Sequence, residues 1–483
     1  MNPLLMTDVY KMGHMEQYAP GTSYVYSYLI ARSDKTFKET VFYGLQYYLK
    51  RYLRQPLTPE MGEEFLRVRA SILGGNSPEV EQKIRALCKL GHWPIVIKAV
   101  PEGTVMPVRN VLMTIANTHP AFYWCVGFIE SLLLKVWYPI TVATCCYQYR
   151  KLAQRYWDET VERSEHAGLD FAVHDFGYRG DSSEEGSAIS GLGHLLSFRG
   201  SDTVPAWRFA EAYYGAHGDA IMASVPATEH SVMCSYGRED ELGAFNRMLD
   251  LYPTGVVSIV SDTFNVYTVL TDFADKLKSR ILARDGKVVF RPDSGNPEHI
   301  ICGNPDAPAD SLEGLGAIRL LDRAFGSTVN KLGYKVLNPK VGLIYGDGMY
   351  LARYERTLER LRTMGYAASN LTIGVGGILR NHSRDTLGFA IKATCVEVDG
   401  QQREIEKDPI TDPGKKSHKG LLSLEYRNGA YATLDRRSVA EERCGLLRTV
   451  FANGIVWHQS LGEIRERVAK SLRYAEMPIP AAA

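Results

Sequence analysis

The stretch Ser224–Ser231, SVPATEHS, ends an apolar run in a carboxylate, an imidazole and hydroxyls. What His230 does among them is the question the stretch raises. A lone histidine at a strand end is most often a satisfied hydrogen-bonding residue, so the company it keeps decides. That company is rich. Apolar runs elsewhere end in His174-Asp175, Ser201-Asp202, Ser261-Asp262, Arg291 and Asp293, Gly346-Asp347-Gly348, Gly376-Gly377 and Lys392. Helix-capping Asp and Ser account for some of these ends. They do not account for Arg, His, Lys and repeated Gly in the same place.

Three of these ends suggest particular ligands. HDFGYRG (174–180) sets Phe176 and Arg179 among glycines; a Phe there can stack on a flat ring, and the glycines would let a ligand approach the backbone. A tight turn around a core Phe is the plain alternative. RPDSGNP (291–297) puts Arg291 and Asp293 on one side of an extended end, a pair suited to phosphate and to ribose hydroxyls. YGDGM (345–349) and IGVGGIL (373–379) are glycine-rich strand-to-helix junctions, whose backbone N–H groups can nest an anion. Arg384, Lys392, Lys407, Lys415 and Lys419 follow, the last three within KDPITDPGKKSHKG (407–420). Such a charge run is ordinarily a solvated face, but this loop has donors enough to cover a polyphosphate. No GxxxxGK[ST] loop and no GxSxG elbow occurs.

The elements that must position these groups repeat. Short β-like runs at 171–176, 195–202, 221–230, 256–262, 287–295, 342–348, 371–377 and 388–394 alternate with helical stretches such as that around 241–252. That is the rhythm of β-α units, and eight of them predict a closed or nearly closed α/β barrel with its site at the C-terminal strand ends. Ahead of it lie a strand at 23–32, a helix at 39–53, strands around a Pro-Glu-Gly turn at 94–118, and a helix pair broken at Pro139. Behind it, VEVDGQQREI, LLSLEYRNGAYATL and LRTVFANGIVWHQSL each centre on Asp-Gly or Asn-Gly, the strongest short hairpin signal. The expectation is a mixed α+β domain over 1–165, completed by 395–483, and an α/β barrel-like catalytic domain over 166–394.

At 483 residues the chain exceeds one core. Its 45% hydrophobic and 23% charged residues fit a globular enzyme. A formal net charge of +1 argues against a nucleic-acid partner. The eight cysteines form no CxxC pair and read as free thiols in a reducing compartment. No signal-peptide core or membrane span is evident, so a cytoplasmic location is expected.

With these motifs in hand, the chain resembles the nicotinamide phosphoribosyltransferase family. TDVYKMGH, VFYGLQYYL, HDFGYRG, SDTV, VPATEHS, SDTFNVY, RPDSGNP, YGDG, GVGG and KDPITDPGKKSHKG stand in that family's order, over residues 7 to about 465. The resemblance implies a type II phosphoribosyltransferase fold. It implies a homodimer that makes nicotinamide mononucleotide and pyrophosphate from nicotinamide and phosphoribosyl pyrophosphate, with Mg²⁺ bound mainly through substrate phosphates and with ATP as co-substrate. His230 then matches the histidine that ATP phosphorylates, and Asp262 the residue that fixes its tautomer. Phe176 matches the ring stacked on nicotinamide, and Tyr10 the tyrosine supplied across the dimer to the other face. Asp202 matches the acceptor of the carboxamide N–H, with Ser224 also toward the substrate. Arg291, Asp293, Gly346, Asp347, Gly376 and Gly377 match contacts to the ribose phosphate. Arg32, Arg179, Arg384, Lys392, Lys407 and Lys415 match the cations around pyrophosphate and ATP. The 32–41 loop is short beside the animal enzymes, and GVGG stands where those have Ser as second residue.

The same fold also serves nicotinate phosphoribosyltransferase, the alternative reading. Asp202 argues against it, because a carboxylate repels a carboxylate substrate. A barrel aldolase or isomerase would want an isolated Schiff-base Lys, and Lys392 instead lies among cations. A binding or signalling protein would have lost part of the His230, Asp262, Arg291 and Asp293 set.

Overall fold

The computed structural model describes residues 1–218, 221–411 and 416–474. They form two compact units: Met1–Thr144 with Glu211–Ala216 and His382–Ala483, and Cys145–Ala210 with His217–Asn381.

The second unit is a ring of parallel strands. Val173–Asp175, Leu371–Val375, Val341–Tyr345, Asp285–Arg291 and Thr254–Val260 lie side by side in that order, every pair parallel. The circuit closes through single parallel bridges, Asp175 to Ser201, Gly200 to Ala223 and Ala227 to Ser258. The five strands and these two bridged segments make seven stations, not the eight expected. The local sequence explains the two weak stations. Leu195, Leu196 and Phe198 do bury themselves, but in turns that close the Glu184–His194 helix rather than in a strand. In the 221–230 run Pro226 has no N–H to give a ladder. Elsewhere the apolar runs pack as read: Val257, Ile259, Val288, Phe290 and Ile373 are fully buried. The intervening helices start on hydroxyl caps, Ser183 for Glu184–His194 and Ser311 for Leu312–Phe325, each accepting a backbone N–H of the first turn.

The first unit is built on a seven-stranded sheet in which every pair is antiparallel. Its order is Gln401–Glu404, Ala390–Val398, Thr22–Ile30, Val111–Asn117, Ile95–Ala99, Arg448–Ala452, Ile455–Val456. The run 388–394, expected as a barrel strand, therefore belongs here, paired antiparallel to Thr22–Ile30. Its apolar pattern suits either sheet; strand partners decide, and they lie far off in sequence. The three hairpins form as read. Asp399-Gly400, Asn428-Gly429 and Asn453-Gly454 all take positive φ at both turn positions, as a two-residue type I′ turn requires. Of the 39–53 helix, the first three residues are a strand, Glu39–Val41, and helix begins at Leu45. The helix break near residue 139 falls earlier, between Glu130–Leu134 and Trp137–Thr160. Pro139 sits in the first turn of the second helix, where its missing N–H has no partner to lose. Among the described residues no single helix is long and apolar enough to cross a membrane. All eight cysteines are free thiols.

Candidate active site

The C-terminal strand ends of the ring carry the polar residues. His230 opens the short helix His230–Cys234, directly after the Ala227 bridge. Its Nε2 lies 3.2 Å from Oδ1 of Asp262, just beyond the Thr254–Val260 strand. The imidazole is half exposed and the carboxylate almost wholly buried, at 48% and 4%. Because the carboxylate can only accept, Nε2 carries a hydrogen, and Nδ1 is the nitrogen left bare in the neutral form of the ring. Asp262 Oδ2 is buried without a hydrogen-bond partner among the described residues.

Ser261 ties this station to the next. Its Oγ accepts the Arg291 N–H, and its N–H donates to the Arg291 carbonyl, at 3.1 and 3.0 Å. The Arg291 Nε is buried and likewise lacks a protein acceptor among the described residues. Burial raises the Asp293 carboxyl above its usual range; Arg291 opposes this, and the nearby charges of Asp262 and Asp347 add to it. Three carboxylates and His230 thus share one electrostatic neighbourhood. Asp347 itself is exposed.

Phe176 lies across two glycines. A Cβ on Gly374 would sit 2.0 Å from its Cε2, and one on Gly346 would sit 3.2 Å from it and 2.7 Å from Asp293 Oδ1. The glycines of the HDFGYRG motif have a different purpose from the one expected. A Cβ on Gly177 would sit 2.1 Å from the Arg380 guanidinium carbon, and one on Gly180 would sit 2.7 Å from Gly377 Cα. They admit protein, not ligand. Gly376 and Gly377 lie under the same loop, and Arg179 is exposed on it.

What holds that loop is a buried ion pair that the motifs alone did not disclose. Arg380 meets Asp175 at 2.8 and 2.9 Å and Asp181 at 3.0 Å, all three nearly inaccessible. Asp175 also accepts the Gly177 N–H and the Ser201 hydroxyl. Burial alone would raise the Asp175 carboxyl; the Arg380 guanidinium outweighs it and holds the carboxyl well below its usual range. Arg380→Met should cost about 3–5 kcal/mol of stability in denaturant unfolding, because it strands a buried charge. The pair's pH dependence has a definite sign. The folded-state value is depressed, so its stabilisation is present above the ordinary carboxylate range and is lost as pH falls from about 4 toward 2.

At the next station His174 Nε2 lies 3.1 Å from Asp202 Oδ1, and the Ser224 hydroxyl donates to the same oxygen. Burial raises the Asp202 carboxyl, but the His174 hydrogen bond and charge outweigh it, leaving a net lowering.

The first unit holds the other expected residues. Arg32, Arg384, Lys392 and Lys407 line one cavity of about 220 Å³. Lys392, expected at the barrel rim, is on the antiparallel sheet. Burial lowers its pKa, and Lys407, Arg32 and Lys11 lower it further against the pull of Glu130. Glu130 also lines the cavity and pairs with Lys11 at 2.7 Å, so the lining is left with excess positive charge. Tyr10 is 60% exposed, edge-on to His14. Lys415 lies outside the described residues. The sequence places His174, Asp175 and Ser261 at polar strand ends without a role for them, and it singles out neither Arg380 nor Glu130 as part of a site.

Comparison with known proteins bears on this arrangement. Residues 171–455 match the nicotinate phosphoribosyltransferase (NAPRTase) family, and residues 2–67 match the nicotinamide phosphoribosyltransferase N-terminal domain. A protein of Acinetobacter baylyi named nicotinamide phosphoribosyltransferase is 42% identical over 498 residues, covering 98% of each chain. Its namesake in Xanthomonas campestris is 39% identical over 94% of this chain and 95% of that one. Among solved structures, human nicotinic acid phosphoribosyltransferase is similar with a TM-score of 0.59 at 18% identity, over 97% of this chain and 94% of that one. Nicotinate-nucleotide pyrophosphorylase of Pyrococcus furiosus gives 0.58 at 16%, over 99% and 97%. The two structures share the fold.

Proposed function

The chain belongs to the nicotinate phosphoribosyltransferase family, and on that premise we propose that it transfers the phosphoribosyl group of phosphoribosyl pyrophosphate to nicotinamide, a salvage step toward NAD in a reducing cytoplasm. The observation that carries this reading is the meeting of a ring platform, an amide acceptor and a phosphate-binding arginine around one set of strand ends: Phe176, Asp202 and Arg291.

Phe176 stacks on the pyridine ring and Asp202 accepts from the amide. Arg291 offers its unpaired N–H to phosphate, and Asp293 and Asp347 accept from ribose hydroxyls. The backbone at Gly346, Gly376 and Gly377 faces the 5′-phosphate. The pyridine nitrogen's lone pair forms the bond to ribose C1 as the C1–O bond to pyrophosphate breaks, and the electrons leave with pyrophosphate. That nitrogen carries no proton, so no base is needed; holding it in line is most of the chemistry. The cations that the family likeness assigns to the departing pyrophosphate are Arg32, Arg384, Lys392 and Lys407. Magnesium would arrive mainly on the substrate phosphates.

ATP acts through His230 in this reading. Its bare Nδ1 attacks the γ-phosphorus, a P–N bond forms, the P–O bond breaks and ADP leaves; Asp262 keeps the hydrogen on Nε2. The active form is a homodimer, to which each subunit lends Tyr10 to cover the partner's substrate. Family membership supports the dimer, and the exposure of Tyr10 and Val9 fits it. Mixing inactive Tyr10→Ala and Phe176→Ala subunits should restore about half the parent activity to each hybrid, which has one intact site of two, and so about a quarter to a fully exchanged equimolar mixture; no recovery after exchange would return Tyr10 to its own subunit.

The assay for the whole reading is phosphoribosyl transfer with nicotinamide and nicotinate side by side, following pyrophosphate release. Nicotinamide should be used far better. A preference for nicotinate would overturn the reading in favour of the family's other substrate.

A further inference from the structure

Asp202 does not stand alone. Its Oδ1 receives two hydrogens, from His174 Nε2 at 3.1 Å and from the Ser224 hydroxyl, while its backbone N–H is anchored on the Asp175 carbonyl at 2.9 Å. Both side-chain donors engage one oxygen, so Oδ2 is the one left to accept from a ligand. His174 is nearly inaccessible, at 11%, against 47% for Asp202. The imidazole also touches the stacking platform, with ring centroids of His174 and Phe176 5.2 Å apart. Its seat is cut by a glycine: a Cβ on Gly200 would lie 2.6 Å from His174 Nδ1, closer than any real contact allows. Gly200 does not need glycine for its backbone, since it is not among the positive-φ residues. What it provides is room for that ring.

We propose that His174, seated against Gly200, is the positioning residue that fixes the Asp202 carboxylate and thereby sets the preference for an amide over an acid substrate. The inference rests on the reading of Asp202 as the amide acceptor. The imidazole donates to Oδ1 and so stops the carboxylate from turning about its Cβ–Cγ bond, which keeps Oδ2 directed at the amide. It also keeps the carboxylate ionised in a partly buried place, and the ionised form is the one that accepts from N–H₂ and repels CO₂⁻. Ser224 alone cannot do this, because a rotatable hydroxyl follows the carboxylate wherever it turns.

The test is the ratio of kcat/KM for nicotinamide to that for nicotinate. His174→Leu should lower it about tenfold or more, chiefly through the nicotinamide KM. His174→Gln, whose amide can still donate, should recover most of the ratio. Gly200→Ala should lower it in the same direction while removing no polar group, and it serves if His174→Leu fails to fold. In an Asp202→Asn background, His174→Leu should leave the ratio unmoved. A merely structural histidine would depress both substrates alike. An unchanged ratio in both His174→Leu and Gly200→Ala, with Asp202→Asn still shifting it, would overturn this inference and spare the reading of Asp202. An unchanged ratio in Asp202→Asn would overturn both.

Discussion

Asp202→Asn should reduce the preference for nicotinamide over nicotinate by about a thousandfold, measured as the ratio of kcat/KM values. A site built to accept a substrate N–H rejects an analogue that lacks it by several powers of ten, because buried polar groups are left unpaired. Here the mismatch is worse than an absence, since two carboxylates would face each other. The asparagine can turn its own N–H₂ toward a carboxylate, so the variant should gain some use of nicotinate as it loses nicotinamide. His174 and Ser224 reach only Oδ1 and would not compete for that new donor's position. A ratio within threefold of the parent would remove Asp202 from substrate selection.

His230→Ala should abolish ATP hydrolysis and the gain that ATP confers, while slow transfer without ATP persists. The reason is accessibility: two rim imidazoles are held by carboxylates, but His174 is nearly inaccessible at 11% while His230 is half exposed, and the other rim groups, Asp262, Asp293 and Arg291, are carboxylates and a guanidinium. A phosphorylated histidine would bring about two negative charges beside His230's acidic neighbours, by analogy with other phosphorylated side chains. Asp262→Ala should weaken the ATP effect without abolishing it, since the imidazole survives but loses its fixed orientation. The phosphoryl group from γ-labelled ATP should be acid-labile and base-stable on the protein. Label that remains on His230→Ala protein would put the nucleophile elsewhere.

Much of this site could be read from the chain because a parallel barrel gathers its strand ends on one face. A polar residue closing an apolar run is thereby assigned to the rim before any contact is known, as with Asp202, His230, Asp262 and Arg291. What could not be read was whatever depends on a partner distant in sequence. Arg380 follows GVGGIL as an ordinary charged residue, and only the fold brings it to Asp175, 205 residues away. Glu130 is one carboxylate in an apolar helix until Lys11 neutralises it. The 388–394 run carries a sound strand pattern, and its register with Thr22–Ile30 is what removes it from the barrel. The Asp-Gly and Asn-Gly hairpins were legible for the opposite reason, since a type I′ turn is settled by its own two residues.

The seven-station ring has a seam. Around most of its circumference neighbouring strands share ladders of three residues or more, but at 200–201 and 223–227 it is joined by single bridges. Opening the wall there breaks few hydrogen bonds, so backbone amides at these two stations should exchange with deuterium sooner than those of the Asp285–Arg291 strand. Asp202 and Ser224, proposed here to face the substrate, are mounted on the seam, while Arg291, which would take phosphate, ends the Asp285–Arg291 strand, separated from the seam by Thr254–Val260 and paired to it along seven residues. If the flat ring is held at the seam as proposed, local opening there would leave the phosphate anchor in place. Drift in ring specificity among descendants of such a barrel would cost little of its global stability.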